Sequence, residues 1–307
     1  MTATSAELID VVSVANTLGE GVSWDPHGER VWWTDIQERR LFRYDPVGKT
    51  LESFDLPERL GSFAFVDGSD KIVAAFESGF ALFHPESGSI EWIERPAHEA
   101  ANVRFNDGRV DRQGRFWAGS MVEGRGKPVG KLYCLRGGKA EVHITGVAIS
   151  NSLCFSPDGK QLYFADTPRR TISRYDLDAA TGALSNPRVL VRTPQGAFPD
   201  GSQVDAAGHV WNAHWGAGRI VRYAPDGTIS GGIAVPATQP TCITFGGRDL
   251  DILFVTSARE GLSGAALANQ PNAGDLFLYK VDAKGIPDAR VRADSVVPAH
   301  RFRSACS

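Results

Sequence analysis

The chain has 307 residues, 42% of them hydrophobic and 22% charged, an ordinary globular composition with enough length for a large core. Its 33 basic and 36 acidic residues leave a formal charge of −3, which argues against a nucleic-acid binder and against electrostatic adhesion to an anionic membrane. No stretch approaches the ~20 apolar residues of a membrane helix, and MTATSAELID lacks the basic-then-apolar pattern of a leader, so a cytoplasmic location is expected.

In chain order, the first expected strand is Leu8–Val14 (LIDVVSV). Six similar segments follow: SWDPHGERVWWTDI, AFVDGSDKIVAAFE, RVDRQGRFWAGS, CFSPDGKQLYFADT, QVDAAGHVWNAH and TFGGRDLDILFVTS. Each reads as an apolar strand, a polar turn with Asp and Gly, and a second strand rich in aromatic and β-branched residues. A third strand trails each hairpin, as in RLFRYDPVGKT, FALFHPESGS and DLFLYKVDAKG. The turn anchors Gly28, Asp70, Gly114, Gly159, Gly208 and Asp249 recur every 41 to 49 residues, the length of one four-stranded propeller blade. The fold class is therefore all-β, a six-bladed β-propeller formed by residues 1–307 as a single domain. Its N-terminal strand near 8–14 would close the last blade beside Asp275–Val281, because an open ring leaves unpaired strand edges. The most helix-like segment, Glu260–Ala268, falls in a loop of that last blade.

The innermost strand of each blade lines the central channel, so one repeat position generates a ring of side chains. Eight residues before each turn anchor stand Glu20, Ser62, Asn106, Asn151, Asp200 and Thr241, all oxygen-bearing. An isolated PDG or NDG is ordinarily a turn. Asp200 and Asn106, however, share the strand-start slot with Glu20, whereas the PDG runs at Pro157 and Pro225 occupy turn slots. Two carboxylates facing one cavity repel unless a cation or proton lies between them, which points to a central divalent-metal site with hard oxygen donors. Arg104, two residues before Asn106, projects to the same side of an extended strand and is a candidate ligand-binding cation. A second ring, Asp35, Glu77, Ser120, Asp166, His214 and Thr256, falls at the end of the next strand. Its residues are expected mainly to satisfy backbone groups, with His214 a candidate proton carrier. No GxSxG elbow, phosphate loop or HExxH spacing is present. Cys134, Cys154, Cys242 and Cys306 form no CxxC pair and are expected to be reduced and mostly buried.

The motifs LGEGVSWD, NVRFNDGRVDRQGRFWAGSM, ISNSLCFSPDGKQLYFADT, FPDGSQVDAAGHVW and CITFGGRDLDILFVTSAREG run in order across nearly the whole chain. In them the sequence resembles the SMP-30/gluconolactonase/regucalcin family. The resemblance implies metal-dependent hydrolysis of a sugar (aldono) lactone such as gluconolactone, xylonolactone or arabinonolactone, with one divalent cation drawn from Ca, Zn, Mn, Mg or Fe. It implies Glu20, Asn151 and Asp200 as metal ligands, Asp200 also as general base, and Arg104, Asn106 and Glu123 as substrate contacts. The expected partner is a small-molecule sugar lactone. The competing readings are a paraoxonase-like phosphotriesterase or aryl esterase, and a non-enzymatic Ca-binding propeller.

Overall fold

A computed structural model describes residues 4–124 and 126–296; Cys306 lies outside the described residues. Six four-stranded antiparallel sheets are arranged as blades, and this is the propeller that the repeat predicts. Five blades are continuous segments: 19–55, 60–94, 103–147, 150–192 and 198–234. The sixth takes its three inner strands from 240–281 and its outer strand from Ala6–Val12, which pairs antiparallel with Leu276–Val281. The helical turn Gly264–Ala268 sits in the sixth blade's loop, its N-terminus capped by Ser263.

Apolar residues of the repeat face neighbouring blades, giving six buried clusters that each join two adjacent sheets. Aromatic pairs bridge most of these seams: Trp24 stacks on Phe254 across blades one and six, and Trp211 meets Phe245 edge-on across blades five and six. Inner strands approach so closely that a Cβ on Gly201 would lie 2.7 Å from the Cys242 backbone. Cys134, Cys154 and Cys242 are buried free thiols within this packing.

After the last inner-blade strand the chain crosses the face of the ring opposite the ring-residue ends of the inner strands. Gly285 pairs with Asp205 of blade five, Val291 with Val66 of blade two, and the Arg292 N–H donates to Gly114 O of blade three at 2.9 Å. Arg290 reaches Asp25 of blade one at 3.0 Å. This strap carries Asp288 against the base of the channel. There its carboxylate accepts from Gln203 Nε2 at 2.9 Å and from Arg109 Nη1 at 3.4 Å.

Candidate active site at the channel mouth

The six ring positions all lie at the start of the inner strands, and at each of them the register with the next strand slips. Asn106, Asp200 and Thr241 fall inside the unpaired stretch of such a bulge, while Glu20, Ser62 and Asn151 stand at its edge paired with Thr34, Ala75 and Ala165; the bulge bends the strand and re-aims the side chains beside it. Gly21 and Ser152, immediately after Glu20 and Asn151, both have φ of 60°, a conformation free to glycine but strained for serine. Ser152 is held there by its own hydroxyl, which donates to Asp200 O at 2.7 Å and accepts from Asn212 Nδ2 at 3.0 Å.

Four of the six ring residues, Glu20, Asn106, Asn151 and Asp200, line one cavity of about 320 Å³, and Arg104 joins them. The other two do not line it. Thr241 instead donates to Gly19 O and contacts Thr256, while Ser62 Oγ is buried without a hydrogen-bond partner among the described residues. The cavity walls are apolar: Leu18, Met121, Ile149, Pro168, Phe198 and Trp215. Thr167 and Glu260 complete them. These residues stand in loops and at strand ends outside the repeated slot; Met121, Thr167 and Trp215, next to Ser120, Asp166 and His214 of the second ring, carried the only sequence signal.

The polar floor is tightly connected. Arg104 Nη1 donates to Asn106 Oδ1 at 2.7 Å, Asn106 Nδ2 to Asn151 Oδ1 at 3.1 Å, and Asn151 Nδ2 to Thr167 Oγ1 at 2.8 Å. Because Thr167 Oγ1 donates onward to Pro199 O at 2.9 Å, the Asn151 amide is oriented with its oxygen toward Asn106. Glu123 does not line the cavity. It receives Arg104 Nε at 2.9 Å and Arg59 Nη1 at 2.8 Å, and Arg59 also pairs with Glu77. Burial opposes the Glu123 charge, yet the two guanidiniums hold its carboxyl below the ordinary range.

Glu20 and Asp200 behave in the opposite sense. Burial, then the charge of nearby Asp107, pushes Glu20 up to about 8, and burial together with Glu20 and Asp107 raises Asp200 well above the carboxylate range. Asp107 has its own compensation, a 2.7 Å hydrogen bond from the Leu153 N–H and the Arg109 charge. No Lys or Arg side chain among the described residues hydrogen-bonds to Glu20 or Asp200. Two buried acids and an oriented amide oxygen, none of them hydrogen-bonded to a Lys or Arg among the described residues, fit a hard divalent ion. Among the described residues there is no cluster of three or more His, Cys, Asp or Glu suited to a metal, so such a site needs the amide as its third donor.

None of the second ring lines the cavity; Asp35, Ser120, Asp166 and Thr256 bond backbone groups, whereas Glu77 pairs with Arg59. Asp35 accepts the Thr17 and Leu18 N–H groups at 2.7 and 3.1 Å, and Asp166 accepts those of Ala148 and Ile149 at 3.1 and 3.0 Å. His214 is fully buried outside the cavity with Nε2 3.0 Å from Tyr223 Oη, a placement that gives it no route to a ligand.

Residues 18–259 match the family model described as the SMP-30/Gluconolactonase/LRE-like region. The chain is 39% identical to an L-arabinolactonase of Azospirillum brasilense over 90% of its own length and 92% of the relative's. It is 37% identical to a 6-deoxy-6-sulfogluconolactonase of Pseudomonas putida, over 90% and 95%. The structure of a calcium-binding protein, regucalcin, from Agrobacterium tumefaciens superposes with a TM-score of 0.89 at 32% identity, covering 94% of this chain and 98% of that one. The chain belongs to the SMP-30/gluconolactonase/LRE-like family.

Proposed function

We propose that the protein hydrolyses a sugar lactone to its aldonic acid, using one divalent cation held by Glu20, Asn151 and Asp200. The observation that carries this reading is the pair of buried carboxylates, neither hydrogen-bonded to a Lys or Arg among the described residues, at the floor of a cavity sized for a small molecule. When bound, a divalent cation supplies a Lewis acid for the lactone carbonyl. The chain's own groups supply the rest. Asp200 takes the proton of the attacking water, whose oxygen adds to the acyl carbon; the acyl–oxygen bond of the ring then breaks, and the ring oxygen takes that proton back from Asp200 and leaves as a hydroxyl. Arg104 donates to substrate oxygens; Asn106, whose two amide hydrogens go to Ser150 O and Asn151 Oδ1, meets the substrate through Oδ1, and Glu123 acts behind them by fixing the Arg104 guanidinium. The Leu18, Ile149, Phe198 and Trp215 walls keep bulk water from the polarised carbonyl.

A pH-indicator assay over aldonolactones, an aryl ester and a phosphotriester tests this, with metal stripped and then restored one ion at a time. Turnover of at least one aldonolactone, lost on chelation and regained with a divalent ion, is expected. Turnover confined to the aryl ester or phosphotriester, metal binding without any turnover, or lactone hydrolysis that survives metal removal would overturn it.

A further inference from the structure

The charges around the cavity can be accounted for one by one. Arg59 and Arg104 are matched by Glu77 and Glu123, two guanidiniums against two carboxylates in one linked group. A divalent ion held as proposed above would balance Glu20 and Asp200. Of the charged side chains lining the cavity, that leaves Glu260 as the one without a counter-charge among the described residues.

Glu260 is held in place on three sides. Its N–H donates to Thr17 O at 2.9 Å, its carbonyl accepts from Gln239 Nε2 at 3.0 Å, and its Oε1 accepts from Gln37 Nε2 at 2.6 Å. Its Oε2 has no partner among the described residues, so the half-buried carboxylate keeps a free acceptor. The nearest cation linked to it is Arg59, whose Nη1 donates to Gln37 Oε1 at 3.4 Å, but that guanidinium is already matched by Glu77 and Glu123. Glu38, bonded by Thr17 Oγ1 at 2.8 Å, adds a further negative charge, and Arg259, whose stem packs beside Gly274, does not line the cavity. Opposite stand apolar walls, which screen a charge poorly.

We propose that Glu260 makes this cavity selective for uncharged lactones: its free oxygen accepts a hydrogen bond from a hydroxyl of the substrate, and its charge turns away a lactone bearing an anionic group in that place. The inference rests on the lactonase reading above. A hydroxyl gains an acceptor there, whereas a sulfonate or phosphate has no proton to give and meets a like charge, so discrimination arises from attraction and repulsion together.

The test compares gluconolactone with 6-deoxy-6-sulfogluconolactone, which share a ring and differ in one charge, on the metal-loaded protein and on Glu260→Gln and Glu260→Lys. Glutamine keeps an oxygen to accept from Gln37, so its fold is expected to survive. Wild type should favour the uncharged lactone by roughly tenfold or more in kcat/KM, and its rate on the sulfonate should rise as salt goes from about 50 to about 500 mM. Glu260→Gln should narrow the preference by roughly three- to tenfold, mainly through KM, and abolish that salt response; Glu260→Lys should reverse its sign. Gluconolactone turnover with an unchanged preference in Glu260→Gln, or a wild-type preference for the sulfonate, overturns the role of Glu260 and leaves the lactonase reading intact. Absence of turnover on any aldonolactone overturns both.

Discussion

The two ends of the same inner strands treat buried charge in opposite ways. At the base, Arg109 finds its counter-charge and acceptors within the chain: it donates to Ile243 O at 3.2 Å and Ser202 O at 3.3 Å and pairs with Asp288 of the strap at 3.4 Å, with Nε alone left without a hydrogen-bond partner among the described residues. At the mouth, Glu20 and Asp200 are buried with no Lys or Arg hydrogen-bonded to either among the described residues; the Arg104 charge favours their ionised forms, but burial and the neighbouring carboxylates outweigh it. The base is finished as a structural joint, whereas the mouth is left incomplete for something from outside, at a cost to the stability of the ion-free protein.

The sharpest way to break this contrast is Asp200→Asn. Hydrolysis should fall by about 10³-fold or more, while the chelated protein should unfold at an equal or higher temperature because a like-charged pair is gone. Undiminished turnover, or a fold that collapses without the carboxylate, would remove the distinction. At the base the signs reverse. Asp288→Ala should cost about 3 kcal/mol in urea unfolding by stranding the Arg109 charge, with kcat/KM kept within about twofold. A neutral effect on stability would show that the strap is not a joint.

A third expectation concerns acid. Arg219 Nε lies 3.4 Å from His214 Nδ1, and burial, then the Arg219 charge, lowers His214 from 6.5 to about 4. The unfolded chain takes up this proton near pH 6.5 and the folded one only near pH 4. The contribution of the neutral ring is therefore complete above pH 6.5 and lost as pH falls toward 4, about 2 kcal/mol between pH 7 and pH 5. Histidine removal, as His214→Asn, should flatten that segment of the stability profile; a parallel profile would refute the assignment. The smallest effect is at Ser152. Ser152→Ala keeps the strained φ and loses both hydroxyl bonds, whereas Ser152→Gly relieves the strain, so chemical denaturation should separate the two variants by about 1 kcal/mol in favour of glycine.

The blade count and the ring positions were legible because a repeat converts spacing along the chain into position around an axis, so Glu20, Asn106, Asn151 and Asp200 could be found by counting. The bulges that turn these side chains inward left no mark in the motif, since GEG and SNS look unrelated although Gly21 and Ser152 adopt the same φ. Contacts between blades were also hidden. Glu123 reads as a substrate contact from its place after the AGSM segment, yet its carboxylate is held by Arg59, 64 residues earlier, as well as by Arg104. Arg109 and Asp288 are 179 residues apart and belong to no common motif. Glu260 and Phe198 reach the cavity by the paths of loops and strand ends, which periodicity does not determine.

The pairing of Ala6 with Val281 also governs how the molecule is made. A chain emerging from the ribosome presents its first strand long before the partner of that strand exists, and until then the growing ring carries two unsealed borders. The last step of assembly joins residues nearly a full sequence apart. Folding should accordingly be slow for its size, and an incomplete nascent chain is the species most exposed to sticking to its neighbours.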